Sequence, residues 1–145
     1  MELDNKKLFI FDLDGTLVDT APDFKNSLNY MLSEMGEDTV ELSDIRNWVG
    51  YGARELIRRT VEAKNIKHND KKINEMLRIF LLHYTHNIDD DSVLYNNVEN
   101  FLRYLKKNNI KTSVCTNKME SLSIMLLEKL GVLNLFDYLV GGDTF

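Results

Sequence analysis

Leu8-Phe9-Ile10-Phe11-Asp12-Leu13-Asp14-Gly15-Thr16 is the stretch that decides the fold. Its four leading apolar residues have the length of a strand and predict one covered by helices on both faces, the usual state of a parallel sheet. In open parallel sheets ligands bind beyond the carboxyl ends of the strands, so Asp12 and Asp14 are predicted to emerge at the site-bearing edge. Gly15 supplies a sharp turn where a Cβ would obstruct. Two acids one residue apart repel each other, and a hard cation offsets the repulsion. Mg²⁺ is well suited, because it takes oxygen ligands, keeps several waters, and commonly uses one or two carboxylates plus a substrate phosphate. Taken in isolation, Asp-x-Asp-Gly is also ordinary turn chemistry; the strand before it and the elements after it favour a site.

Downstream, Phe24, Leu28, Met31, Leu32 and Met35 recur at helical spacing between Pro22 and Gly36. A second helix is predicted over residues 43–48 with Ser43 as N-cap, and a third from Ala53 with Leu56, Ile57 and Val61 facing inward. The fourth carries Ile73, Met76, Leu77, Phe80, Leu81 and Tyr84. Val98, Phe101, Leu102 and Leu105 mark a short helix ending at Asn108-Asn109, and the β-branched content of residues 110–115 favours a second strand. Asn117 with Glu120 reads as a capping box for the next helix, with Gly131 in the left-handed position at its end. A last strand is predicted over residues 138–140. Strand and helix alternate, which predicts a right-handed, parallel, Rossmann-like three-layer α/β core. The core comprises residues 1–18 and 92–145, and residues 19–91 form an inserted α-helical cap.

The segment Phe11-Asp12-Leu13-Asp14-Gly15-Thr16 resembles the first motif of the haloacid dehalogenase superfamily. The residues Leu17-Val18-Asp19-Thr20-Ala21-Pro22-Asp23 and Asn47-Trp48-Val49-Gly50-Tyr51-Gly52-Ala53 look like its phosphoglycolate phosphatase branch. The resemblance implies a Mg²⁺-dependent phosphatase acting on a small phosphorylated metabolite. Asp12 is then the nucleophile that carries the phosphoryl group, and Asp14 the general acid and base. The Asp12 side chain and the Asp14 backbone carbonyl bind the metal. Thr116, directly after the second strand, resembles the second motif, a hydroxyl that donates to the phosphoryl group. Gly15, Asn117 and the following helix terminus belong to the same phosphate site.

Arg54, after Gly50-Tyr51-Gly52, either reaches a second anionic group such as the carboxylate of 2-phosphoglycolate or simply faces solvent from an inter-helix turn. The family pattern continues past this chain with a Lys and an acidic motif, and Gly142-Asp143-Thr144-Phe145 resembles the segment leading to that Lys. The resemblance therefore implies an incomplete core, with the outer edge of the first strand unpaired and open to self-association. Two alternatives stand beside the phosphatase: a catalytically impaired remnant that binds phosphate or a partner, and a pyrophosphatase or sugar phosphomutase of the same superfamily.

Composition narrows the classes further. With 18 basic against 23 acidic residues, the net charge of −5 offers nucleic acid no broad attraction. No run approaches the roughly 18 apolar residues of a membrane helix. The polar N-terminus has no leader pattern, which makes the cytoplasm the expected location. Cys115 is the single cysteine, expected to be a buried core thiol with no internal disulfide. His68, His83 and His86 are spaced for surface or packing roles, and Asp89-Asp90-Asp91 for a solvated hinge rather than a metal site.

Overall fold

The structure, a computed structural model, describes residues 7–145. The chain divides into two compact units. One holds the chain as far as Asp19 together with Val93–Phe145; the other is Thr20–Ser92.

In the α/β unit, strand β1 (Leu8–Phe11) ends at the acid pair, and a tight turn follows. The Gly15 N–H donates to the Val18 carbonyl at 2.8 Å, while Leu17 and Val18 donate back to Leu13. Gly15 sits at φ 79°, which L side chains rarely adopt. The chain then leaves through β2 (Val18–Asp19). It returns in β3 (Val93–Leu94), and the two pair antiparallel, Val18 opposite Leu94 and Asp19 opposite Val93. Neither short strand has a periodic signature, so sequence reading passes over both.

The helical unit is α1 (Ala21–Glu34), α2 (Leu42–Trp48), α3 (Ala53–Ala63) and α4 (Asp70–His86). The apolar stripes of α1, α3 and α4 are the predicted ones. Phe24 of α1 meets Tyr84 and Phe80 of α4 at ring distances of 4.8 and 6.1 Å. One helix start differs from expectation: Glu41, not Ser43, caps α2, in a reciprocal box with Asp44. An acid preceding the helix satisfies the same orphan amides that a hydroxyl would, so Ser43 lies inside the first turn.

A buried carboxylate ties the two ends of this unit together. Asp23 in the first turn of α1 accepts from the amides of Asp91 (3.0 Å) and Ser92 (2.8 Å). Burial pushes its carboxyl above the ordinary aspartate range, and those hydrogen bonds oppose the shift without cancelling it. Asp91 also accepts from Asn26, so the acidic run is partly structured. Among the described residues, no cluster of three potential metal-ligating side chains forms there or elsewhere. His83 stacks on Tyr30 at 4.4 Å and bonds Ser27 Oγ at 3.0 Å, which is a packing role.

After β3 come α5 (Val98–Lys107), β4 (Lys111–Cys115), α6 (Glu120–Lys129), a 3₁₀ turn at Leu133–Leu135 and β5 (Tyr138–Val140). The sheet is parallel, in the order β1-β4-β5, with Ile10 level with Ser113 and Ser113 level with Tyr138. Phe9 and Phe11 pack edge-on against Phe101 of α5. On the opposite face Leu8, Ile10, Cys115 and Tyr138 are exposed. The apolar run of β1 predicts cover on both faces and Cys115 a buried thiol; both expectations fail for one reason. The crossovers β1 to β4 and β4 to β5 advance in the same direction, and right-handed connections then lie on the same face.

Asn117 and Glu120 do not form the predicted box. Helix α6 starts at Glu120 with Met119 in the cap position, and the Glu120 amide donates to Asp143 Oδ1 at 2.7 Å. The capping acceptor thus comes from beyond β5, 23 residues away in the chain. Gly131, at φ 73°, occupies its predicted left-handed position.

Candidate active site

The parallel register fixes the site. Phe11 is level with Val114, so Asp12 stands beside Cys115, and Thr116 lies one residue further along the neighbouring strand. The acid pair and Thr116 therefore leave the same edge of the sheet, as expected for ligand-binding residues of a parallel sheet.

The two acids have different surroundings. Asp12 is exposed, and no side-chain hydrogen bond or ion pair reaches its carboxylate among the described residues. Asp14 is buried, 8% exposed, and its Oδ1 accepts from Lys118 Nζ at 3.2 Å. Lys118 is itself only 6% exposed. The sequence predicts a divalent cation as the remedy for two adjacent acids, and the structure adds this lysine. The available signal was a lone cation two residues after Thr116, in the turn that follows β4.

The turn carrying Lys118 is held from both sides. The Thr116 amide donates to the Val140 carbonyl at 3.0 Å, and the Gly142 amide to the Lys118 carbonyl at 2.9 Å. Thr116 Oγ1 accepts from the Lys118 amide at 3.2 Å. The chain after β5 approaches this turn so closely that a Cβ at residue 142 would fall 2.6 Å from the Asn117 carbonyl oxygen. At residue 141 a Cβ would fall 2.4 Å from the Glu120 nitrogen. Two glycines are needed because backbone packs directly on backbone. Thr144 completes the latch: its hydroxyl donates to Glu120 Oε2 at 2.6 Å and accepts from the Gly141 amide at 2.7 Å. Asp143, which by position precedes the family's third motif, serves this packing as the cap of α6.

Of the sequence-predicted residues, Asp12, Asp14, Gly15, Thr116 and Asn117 all belong to the α/β unit, at the ends of β1 and β4. Arg54 belongs to the helical unit, where it is exposed on α3 and donates to Asn74 of α4. Close by, the Arg59 guanidinium lies 4.0 Å above the Tyr51 ring.

The donor set suits Mg²⁺. The acid pair offers oxygen alone, the donor type this ion takes. The Asp12 side chain and the Asp14 backbone carbonyl are the groups that would hold the ion.

A parallel sheet with a helical insertion and an acid pair at a strand end places the protein in the α/β class. A family model for haloacid dehalogenase-like hydrolases matches residues 9–145, and the chain belongs to that family. The curated phosphoglycolate phosphatase of Colwellia psychrerythraea (strain 34H / ATCC BAA-681) is 40% identical, covering 99% of this chain and 65% of that protein. That of Mesorhizobium japonicum is 37% identical, covering 97% of this chain and 62% of its own length. A crystal structure described as a predicted phosphoglycolate phosphatase from Haemophilus somnus 129PT matches with a TM-score of 0.91 at 29% identity, covering 99% of this chain and 66% of that one. The chain spans less than two thirds of the length of these relatives.

Proposed function

We propose that the protein is a phosphatase of small phosphomonoesters, with 2-phosphoglycolate as the leading substrate, working through an aspartyl-phosphate on Asp12. The observation that carries this reading is the asymmetry of the acid pair: an exposed, unengaged Asp12 beside a buried, ion-paired Asp14, next to Thr116 at one sheet edge. Kinship with curated phosphoglycolate phosphatases supports the substrate class.

In the first step, entered with Asp14 in its protonated form, an Asp12 carboxylate oxygen attacks phosphorus, the ester P–O bond breaks, and the leaving alkoxide takes the proton from Asp14. In the second, Asp14 removes a proton from water, the hydroxide attacks phosphorus, and the bond to Asp12 breaks, releasing inorganic phosphate and restoring both acids. Thr116 and Asn117, at the end of β4, donate to the phosphoryl oxygens, and the turn at Gly15 lets the backbone approach them. Mg²⁺, when bound, offsets the charge of nucleophile and phosphate.

The test is release of inorganic phosphate from 2-phosphoglycolate in Mg²⁺, with mass-spectrometric trapping of the phosphoryl group on Asp12. Turnover that survives Asp12→Asn rules the reading out. Among the described residues no strand pairs with the outer edge of β1, which supports a second reading, in which the chain binds phosphate or a partner without turnover. Phosphate binding or self-association with no release above the Asp12→Asn background favours it.

A further inference from the structure

We propose that Lys118 is the positioning residue of the acid pair: its ammonium engages the Asp14 carboxylate and leaves Asp12 as the side chain open to phosphorus and to a divalent cation. The proposal rests on the phosphatase reading of Asp12 and Asp14 and adds what makes two acids of the same type, one residue apart, unequal.

Three observations support it. Lys118 Nζ lies 3.2 Å from Asp14 Oδ1, and both side chains are nearly excluded from solvent. A buried ammonium is costly unless a carboxylate is fixed opposite it, so this pair is a built arrangement rather than a chance surface contact. The lysine's backbone is held at both ends, its amide by Thr116 Oγ1 and its carbonyl by the Gly142 amide. Finally, Asp12 is exposed on the strand side of Leu13, while Leu13 and Asp14 are buried. One acid therefore faces inward to a cation of the protein and the other outward.

The electrostatic consequence is measurable without turnover. A fixed positive charge beside the acid pair opposes a second cation at the same site, and the opposition is felt strongly where water is excluded. Mn²⁺, a probe for the Mg²⁺ position, is to be titrated into the full chain and followed by the electron paramagnetic resonance signal of the free ion. Lys118→Met removes the charge and is expected to tighten Mn²⁺ binding by about tenfold. Lys118→Gln, which keeps a donor for Asp14 but no charge, carries the same expectation and decides the matter if the Met variant does not fold. Lys118→Arg restores the charge and is expected to return the affinity to within about twofold of wild type.

Damage to the fold alone would weaken binding in all three variants, so tightening in the neutral pair with rescue by Arg is specific to the proposed role. Asp12→Asn serves as the control for the underlying reading and is expected to abolish the site. If Asp12→Asn abolishes binding but the neutral Lys118 variants bind Mn²⁺ as wild type or more weakly, the proposal is overturned and the reading stands. If Asp12→Asn binds as wild type, the reading falls and the proposal with it.

Discussion

The helical unit buries Leu28, Met31, Ile57, Phe80 and Tyr84 to 1% exposure or less, whereas the α/β unit leaves Leu8, Ile10 and Tyr138 at 46%, 63% and 60%. The contrast follows from architecture. Four amphipathic helices can turn their stripes toward one another and close a core with their own residues. A three-stranded parallel sheet whose two connections lie on one face buries only that face. The same α/β unit also carries the exposed carboxylate of Asp12. The α/β unit closes its own core on the covered face, with Leu102, Leu105, Val114 and Leu126 fully buried, so the two units differ in which large apolar residues stay in solvent rather than in having a core.

Substitutions in each part test that division. The largest effect is expected from Asp12→Asn, which should lower phosphate release by about 10³-fold or more, as loss of a nucleophile does. Because the carboxylate is exposed, the melting temperature should not change, and thermal denaturation beside the phosphate assay checks both halves of the claim. Next comes Phe80→Ala in the helical unit. It removes the ring that packs on Phe24 and Tyr84 and should cost about 3–5 kcal/mol in urea unfolding. A loss below about 1 kcal/mol would break the contrast in burial.

Asp23→Asn tests the clamp that joins the ends of the helical unit. An amide has one acceptor oxygen where the carboxylate has two, so one of the Asp91 and Ser92 amides loses its partner, at about 1–3 kcal/mol. The pH dependence has a definite sign. Burial raises the Asp23 carboxyl above its ordinary value, so the folded state binds the proton more tightly than the unfolded state. Stability from this group therefore falls as pH rises from the usual aspartate range through the raised folded value, and it is recovered on acidification. Urea titrations across that interval should show a slope that Asp23→Asn removes.

The smallest effect is expected from Ile10→Lys on the bare face. With the side chain already in solvent, stability should change by no more than about 0.5 kcal/mol. Sedimentation velocity should show less self-association than wild type, if the open strand and its apolar face bring copies together. A large stability loss would mean that this face is covered.

Much of this division is legible in the residues. The helices of the insertion are written at 3.6-residue spacing, and Ile73, Met76, Phe80 and Tyr84 are buried where their recurrence places them. β1, β4 and β5 carry enough apolar and β-branched content to be found, and the acids that follow β1 stand out by spacing alone. The two-residue strands β2 and β3 do not, because a pair of residues is too short to show a period. Cys115 misleads for a different reason. Its neighbours describe a buried strand, but which face of that strand is covered depends on the direction in which the crossovers run.

The sequence by itself determined the strand, turn and acid pair, the apolar stripes of α1, α3 and α4, and the Thr that follows the second long strand. These features depend on residues within a few positions of one another, and local periodicity and turn chemistry suffice to specify them. Only the tertiary structure decided that Lys118 pairs with Asp14 from 104 residues away, that Asp143 caps α6, and that Leu8, Ile10, Cys115 and Tyr138 lie exposed on one sheet face. Those contacts join distant segments through sheet register and crossover hand, which no window of neighbouring residues encodes.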